Sequence, residues 1–418
     1  MIYSRFFTLR RTLPVVAGLA VTLLAGCEKE PYDELYDTQE EAGFGVIGGP
    51  VFGSTKFAPG ETVPVAVGYN QQDNLRDITV FQVINRQDSA VVGTYPANGA
   101  LDATSQVFAQ LVPYTVPATL ANKTPVRVDV TLNFANGSKR LRRFSYTVAA
   151  SPTLKFGATP ATYRNGLAAT AQSPGDLIGY SIVMNEGGIS TVPAAGSTAT
   201  LFKNIDSLVY YARVGTQAPV RQGVLRTPTA GVATTRTVDV TVPTGAQGQP
   251  VTFLFSAFAQ TQRVNLASAT LDIMAPTALA TTQRGSVSFG TGASPDSLAY
   301  NLKLARNEPA TSAADTKDLF VSGATNGSVT LTAGNNTRFY KVPATQVAAG
   351  FYTQATANAV GNLLYRNTNT AELGAATPGD VYAVRVRGTG EVMLLRILSV
   401  KAGTTGTTSR VWFEYRML

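Results

Sequence analysis

A nucleophile, general base or metal ligand needs a side chain able to serve, and this chain of 418 residues has few. It contains no histidine and a single cysteine, Cys27. Ser-His-Asp and Cys-His catalysis are therefore excluded, as are imidazole metal ligation and an imidazole pH switch. One cysteine cannot form an intramolecular disulfide or a thiolate cluster. Ser-x-Lys occurs at Ser54-Thr55-Lys56 and Ser399-Val400-Lys401, as chance alone predicts in a Ser/Thr-rich chain. Neither a Gly-x-Ser-x-Gly elbow nor a Gly-rich phosphate loop occurs.

Carboxylates and aromatic rings remain. A carboxylate-based glycoside hydrolase places two acids about 5–10 Å apart. Asp176, Glu186, Asp206, Asp315, Asp318 and Asp380 lie near predicted loops or strand ends. Pro-Gly-Asp is ordinary turn chemistry, so these acids are expected to be solvated turn residues and not catalysts. Calcium-loop spacing is absent, and neither a metal nor a cofactor is expected. Stacking on a sugar is the other chemistry on offer. Tyr210, Tyr211, Tyr352, Tyr365, Tyr382, Trp412 and Tyr415 could serve. We take Tyr352, Tyr365, Tyr382 and Trp412 as candidate ligand contacts; the competing role is strand packing.

The N-terminus has a distinct composition. Arg5, Arg10 and Arg11 precede an apolar run from Leu13 to Ala25, and no acid occurs before Glu28. The run is too short for a bilayer core, which needs about 20 residues. It reads as a secretory signal. Its end, Leu24-Ala25-Gly26-Cys27, resembles the bacterial lipobox. The resemblance implies that residues 1–26 are removed and that Cys27 is lipidated. Several acyl chains on one residue anchor a protein that does not itself cross the membrane.

Residues 27–42 read as an acidic tether. Residues 28–41 hold seven of the 26 acids, with Lys29 as their only basic companion. Glu28-Lys29-Glu30, followed by Asp33-Glu34, resembles the signal near the lipidated cysteine of surface lipoproteins in Bacteroidota. That implies the outer membrane, facing either the surface or the periplasm. The formal charge of +8 divides unevenly, because residues 42–418 carry 30 basic and 19 acidic side chains. The densest basic cluster is Lys139-Arg140-Leu141-Arg142-Arg143. It is expected on the solvent face of a hairpin, where charge discourages edge pairing. Nothing points to nucleic acid.

These residues must be positioned by strands. Thr, Val, Ala and Gly dominate, and alternating runs recur at Val63–Val67, Asp77–Ile84 and Val126–Leu132. Asn136-Gly137 between two such runs predicts a hairpin. Ala58-Pro59-Gly60-Glu61 returns as Ser173-Pro174-Gly175-Asp176. Thr115-Val116-Pro117 returns as Thr241-Val242-Pro243. The ordered repetition predicts two related β-sandwiches, at 43–150 and 151–275. Their closing halves resemble the immunoglobulin-like modules of bacterial cell-surface proteins, with Thr252–Phe258 as the long strand.

The remainder, 276–418, is expected to be β-rich with at most one short helix, within 343–365. Thr377-Pro378-Gly379-Asp380 opens a final run of strands: Val381–Arg387, Val392–Val400 and Arg410–Leu418. That ending resembles the terminal meander of Bacteroidota lipoprotein domains, including a haemophore-like family. That family binds haem through histidines, so the resemblance carries architecture only.

The expected whole is an all-β, lipid-anchored envelope protein acting by non-catalytic binding or as a scaffold or adhesin. The alternatives are a carbohydrate-binding accessory lipoprotein of a glycan-uptake system and a carboxylate-based hydrolase. Its expected partners are the membrane and either a glycan or another envelope protein. Cys27→Ser should move the protein from the membrane to the soluble fraction, and labelled palmitate should mark only the wild type. Unlabelled wild type would end the anchoring reading.

Overall fold

The computed structural model describes residues 41–87, 89–192, 197–290, 297–325, 327–403 and 407–418. Leu24, Ala25, Gly26, Cys27 and nearly all of the tether lie outside those residues. The rest is all-β, in three successive units.

The first unit packs two antiparallel-based sheets face to face. One orders the strands Gly45–Gly48, Thr62–Tyr69, Val107–Thr115 and Ala100–Asp102. The other orders Lys56–Phe57, Lys139–Val148, Pro125–Phe134, Leu75–Ile84 and Ser89–Pro96. Side chains alternate across each strand, so Val63, Val65 and Val67 meet Val126, Val128, Val130 and Leu132 in a shared core. Asn136-Gly137 turns the expected hairpin, Pro125–Phe134 to Lys139–Val148.

The second unit repeats the plan. Leu154–Tyr163, Leu177–Met184 and Thr234–Thr241 form one sheet. Val220–Thr229, Ile205–Val214, Pro250–Ala259 and Gln262–Ala267 form the other, with Leu271–Asp272 alongside. Ile178, Tyr180 and Ile182 pack on Phe253 and Phe255 between them. The predicted strand Thr252–Phe258 falls inside Pro250–Ala259.

The third unit is built differently. Ten strands form one sheet, running from Arg338–Lys341 through the C-terminal meander to Glu372–Ala375. Phe339 and Thr370 exchange both backbone hydrogen bonds at 2.9 Å, bringing the two ends of the sheet together. The interior holds Tyr300, Phe339, Tyr382, Phe413 and Tyr415. Three short helices cover part of the outside: α1 (Ala344–Ala348), α2 (Phe351–Gln354) and α3 (Ala357–Arg366). One short helix was expected there. Gly350 separates the first two, and Thr356 caps the third by accepting from Ala359 N–H at 3.2 Å. Buried Val360 and Leu364 seat α3 on Val381, Ala383, Val392 and Leu394.

Within the basic cluster Lys139 and Arg143 are exposed as expected, and two residues sit differently. Arg140 and Arg142 share the inward parity of Phe144 and Tyr146, at the edge of the sandwich. Arg142 Nε donates to Gly45 O at 2.6 Å, and Arg140 donates to Ala42 O. Arg143 pairs with Asp129 at 2.6 Å. Arg140 and Arg142 fasten the chain where it enters the first strand, so carbonyl acceptors decided the placement of those two.

The Pro-Gly-acid turn occurs three times with one geometry. Gly60, Gly175 and Gly379 have φ of +75°, +88° and +91°, which the third position of a type II turn requires. Their N–H groups donate to Val116, Val242 and Ile397 O, each at 2.9 Å. Val116, Val242 and Ile397 N–H return to Glu61, Asp176 and Asp380 O, again at 2.9 Å. Each unit therefore clamps this turn against a following strand.

Candidate functional site

The acids of the first two turns look into the next unit. Glu61 and Lys203 form an ion pair whose side chains are each 1% exposed. Glu61 also accepts from Ala58 N–H at 2.7 Å and from the Thr261 hydroxyl. Burial holds the Lys203 ammonium below the usual lysine range, opposed by the Glu61 carboxylate. Around this pair, Lys56 Nζ donates to Ser190 O at 2.6 Å, Asn204 Oδ1 at 3.0 Å and Ala230 O at 3.1 Å. Asn122 and Leu201 bond in both directions at 2.8 and 2.9 Å.

The second junction uses amides in place of an ammonium. Asp176, fully buried, accepts from Asn358 Nδ2 and Asn362 Nδ2 of α3, both at 2.7 Å. Asn358 also accepts from Thr277 N–H at 2.8 Å. Gly361 lies between those two asparagines on α3, and a Cβ there would stand 2.2 Å from Asn165 O. Glycine is unfavourable inside a helix, yet here it is the residue that lets the helix reach the preceding unit. Asp176 was expected to be solvated; its donors lie about 180 residues downstream. Asp318 is likewise buried, held by Arg387 Nε at 2.8 Å and Leu302 N–H at 2.9 Å.

The four candidate aromatic residues are distributed over distinct environments. Tyr382 is 1% exposed in the barrel interior. Tyr365 belongs to the second junction, where its hydroxyl donates to Asp239 at 2.7 Å and Arg164 lies over its ring at 4.9 Å. That hydrogen bond raises the Tyr365 hydroxyl above its ordinary value. Tyr352 is buried under the helices against Arg396, and Trp412 lies on the outer face of the C-terminal sheet.

That outer face is formed by Thr281–Gly290, Thr408–Met417 and Val392–Lys401. Register places Ser286 and Ser399 on either side of Trp412. It places Arg284 and Arg396 on either side of Glu414, and Ser288 and Lys401 on either side of Arg410. Glu414 is 7% exposed; Arg284 Nε stands 3.5 Å from it, and Arg396 donates to it. Arg396 is stacked on Tyr352 at 4.3 Å from the ring centroid. Burial pushes the Tyr352 hydroxyl well above its usual range. Arg410 lies over the Trp412 ring at 5.7 Å. Arg416 donates to Tyr352 O at 2.7 Å, Thr353 O at 2.9 Å and Leu279 O at 2.7 Å, closing the border between helix and open face. The arginines were not legible beforehand. Only strand parity, counted back from Trp412, could have found them.

Among the described residues no three acid or thiol side chains converge as a metal set. Within the same residues no helix is long and apolar enough to cross a membrane. No family model matches the chain, and no curated protein does. Solved structures give distant likenesses only. A DUF4466 family protein from Parabacteroides merdae aligns at 11% identity and TM-score 0.22, over 65% of this chain and all of that one. The native conformation of E. coli alpha-2-macroglobulin aligns at 12% and 0.18, over 89% of this chain and 22% of that one. An ICAM-5 D1–D4 ectodomain fragment aligns at 13% and 0.20, over 90% and 76%. These scores are too low to transfer anything from one protein to another.

Breaking one side of a buried ion pair strands the other, at about 3–5 kcal/mol. Lys203→Met should therefore lower stability by about that amount in denaturant titrations. Adding Glu61→Gln should recover part of the loss. A single variant as stable as wild type would show that the pair carries no such role.

Proposed function

We propose that the chain is a lipid-anchored scaffold of a Bacteroidota-like outer membrane, which acts by binding and not by catalysis. Cys27 fixes it to the membrane and the acidic tether gives it reach. The three β units then hold the C-terminal face at a set position. The observation that carries this reading is the pair of junctions, where a buried carboxylate of one unit is satisfied by donors of the next. Opening either junction would take the interunit donors from that carboxylate and leave it only those of its own turn, so the units favour one arrangement.

The surface chemistry supports binding over hydrolysis. Among the described residues, the clefts on the first two units around Tyr146, Leu254, Val242 and Phe108 have no carboxylate in their walls. The buried acids nearest the junctions are committed to structural donors. A glycan-binding accessory role is the second reading, and Trp412 between Ser286 and Ser399 favours it.

Small-angle scattering from the Cys27→Ser chain tests the scaffold. One compact set of interunit distances is expected. Gly361→Leu should separate the second and third units and raise the radius of gyration. Equal flexibility in both proteins would refute the rigid scaffold.

A further inference from the structure

We infer that the Trp412 face is a binding site for an acidic saccharide, a pyranose carrying a carboxylate. The inference rests on the binding reading above and names the ligand class of its C-terminal face. Trp412 presents a partly exposed ring on the outer face of the sheet. Its indole N–H has no acceptor among the described residues. An aromatic plane of this kind takes the C–H face of a sugar ring, while its polar edge keeps a hydrogen bond to offer. Ser286 and Ser399 flank it with hydroxyls able to donate or accept.

The charge beside the ring selects an acidic sugar over a neutral one. Arg284 and Arg396 share the single carboxylate of Glu414, leaving one positive charge uncompensated. Arg410 has no carboxylate partner among the described residues and instead lies over Trp412. Guanidinium forks match a carboxylate in two parallel hydrogen bonds. The row of Arg284 and Arg396 is two residues along the strand from the Trp412 row, roughly 7 Å away. A pyranose stacked on the indole spans that gap with its exocyclic carboxylate.

The face is also organised before any ligand arrives. Arg396 is held by the Tyr352 ring and by Glu414. Tyr352 is in turn tied down through Arg416. Arg284 is the adaptable element, with its side chain 78% exposed. Binding then costs little ordering beyond one side chain.

Trp412 is the only tryptophan of the chain, so indole fluorescence reports on this face alone. Full-length protein in detergent is titrated with an oligogalacturonide, a neutral maltooligosaccharide and inorganic phosphate. The acidic sugar should change the emission saturably, and the other two should not. Arg284→Ala should weaken that binding about tenfold, the loss of one charge-assisted hydrogen bond, with the melting temperature unchanged. Trp412→Ala should abolish binding by calorimetry. A silent emission with the oligogalacturonide would overturn the inference, as would an equal response to maltooligosaccharide or to phosphate. Undiminished affinity in Arg284→Ala would do the same. Anchoring and rigidity are read separately, by fractionation and scattering, so they can stand if this site fails.

Discussion

A carboxylate taken out of water must meet donors where it is placed, because the desolvation cost is otherwise several kcal/mol (about 3–5 when a partner is removed). Glu61 and Asp176 impose that condition on the chain. Both sit on a turn whose backbone is already clamped to its own unit, which fixes where each side chain begins. Beyond one backbone N–H of the turn itself, the donors come from the next unit: Lys203 in one case, Asn358 and Asn362 in the other. The third copy of the turn shows the contrast. Asp380 meets Lys341 of its own unit at 2.7 Å, with the lysine side chain 54% exposed. One backbone motif therefore joins units where its acid is buried and serves locally where it is not.

The chemistry of the two junctions differs in what it demands. An ammonium–carboxylate pair gains from the low dielectric only if both charges are satisfied. Ala58 N–H and the Thr261 hydroxyl supply part of that for Glu61. The amide donors at Asp176 carry no charge, so α3 brings two of them and backbone N–H of Ser173 adds a third at 2.7 Å. Gly361 is the geometric condition for this second arrangement. A helix interior ordinarily loses stability with glycine, and here the close approach to Asn165 compensates for it.

What the amino-acid sequence disclosed follows from range. Alternation at Val63–Val67 and Val126–Leu132, the Asn136-Gly137 turn and the closing meander are local, and the strands lie where those patterns put them. The repeated Pro-Gly-acid phrase was also visible, but as solvated turns. Nothing near Asp176 in sequence reveals donors about 180 residues away. The inward parity of Arg140 and Arg142 was hidden for a related reason, since their acceptors are backbone carbonyls of a distant segment. The helical stretch was underestimated because glycine is a poor helix former, whereas Gly350 separates two helices and Gly361 permits a close approach.

Tyr382 and Trp412 show why an aromatic residue on a strand does not declare its role. Along Val381–Val384 both faces are buried, one by the barrel interior and one by the helices, so parity cannot offer Tyr382 to solvent. On Thr408–Met417 the inward residues Val411, Phe413 and Tyr415 are equally buried, but the helices stop short of the other face. Trp412 is left there beside Glu414 and its two arginines. Where the helices stop is set by Arg416, which draws the backbone of α2 onto the sheet margin. The same helix margin supplies Tyr352 against Arg396. The exposure of the indole and the orientation of the neighbouring cation thus have one structural cause, the extent of the helical cover.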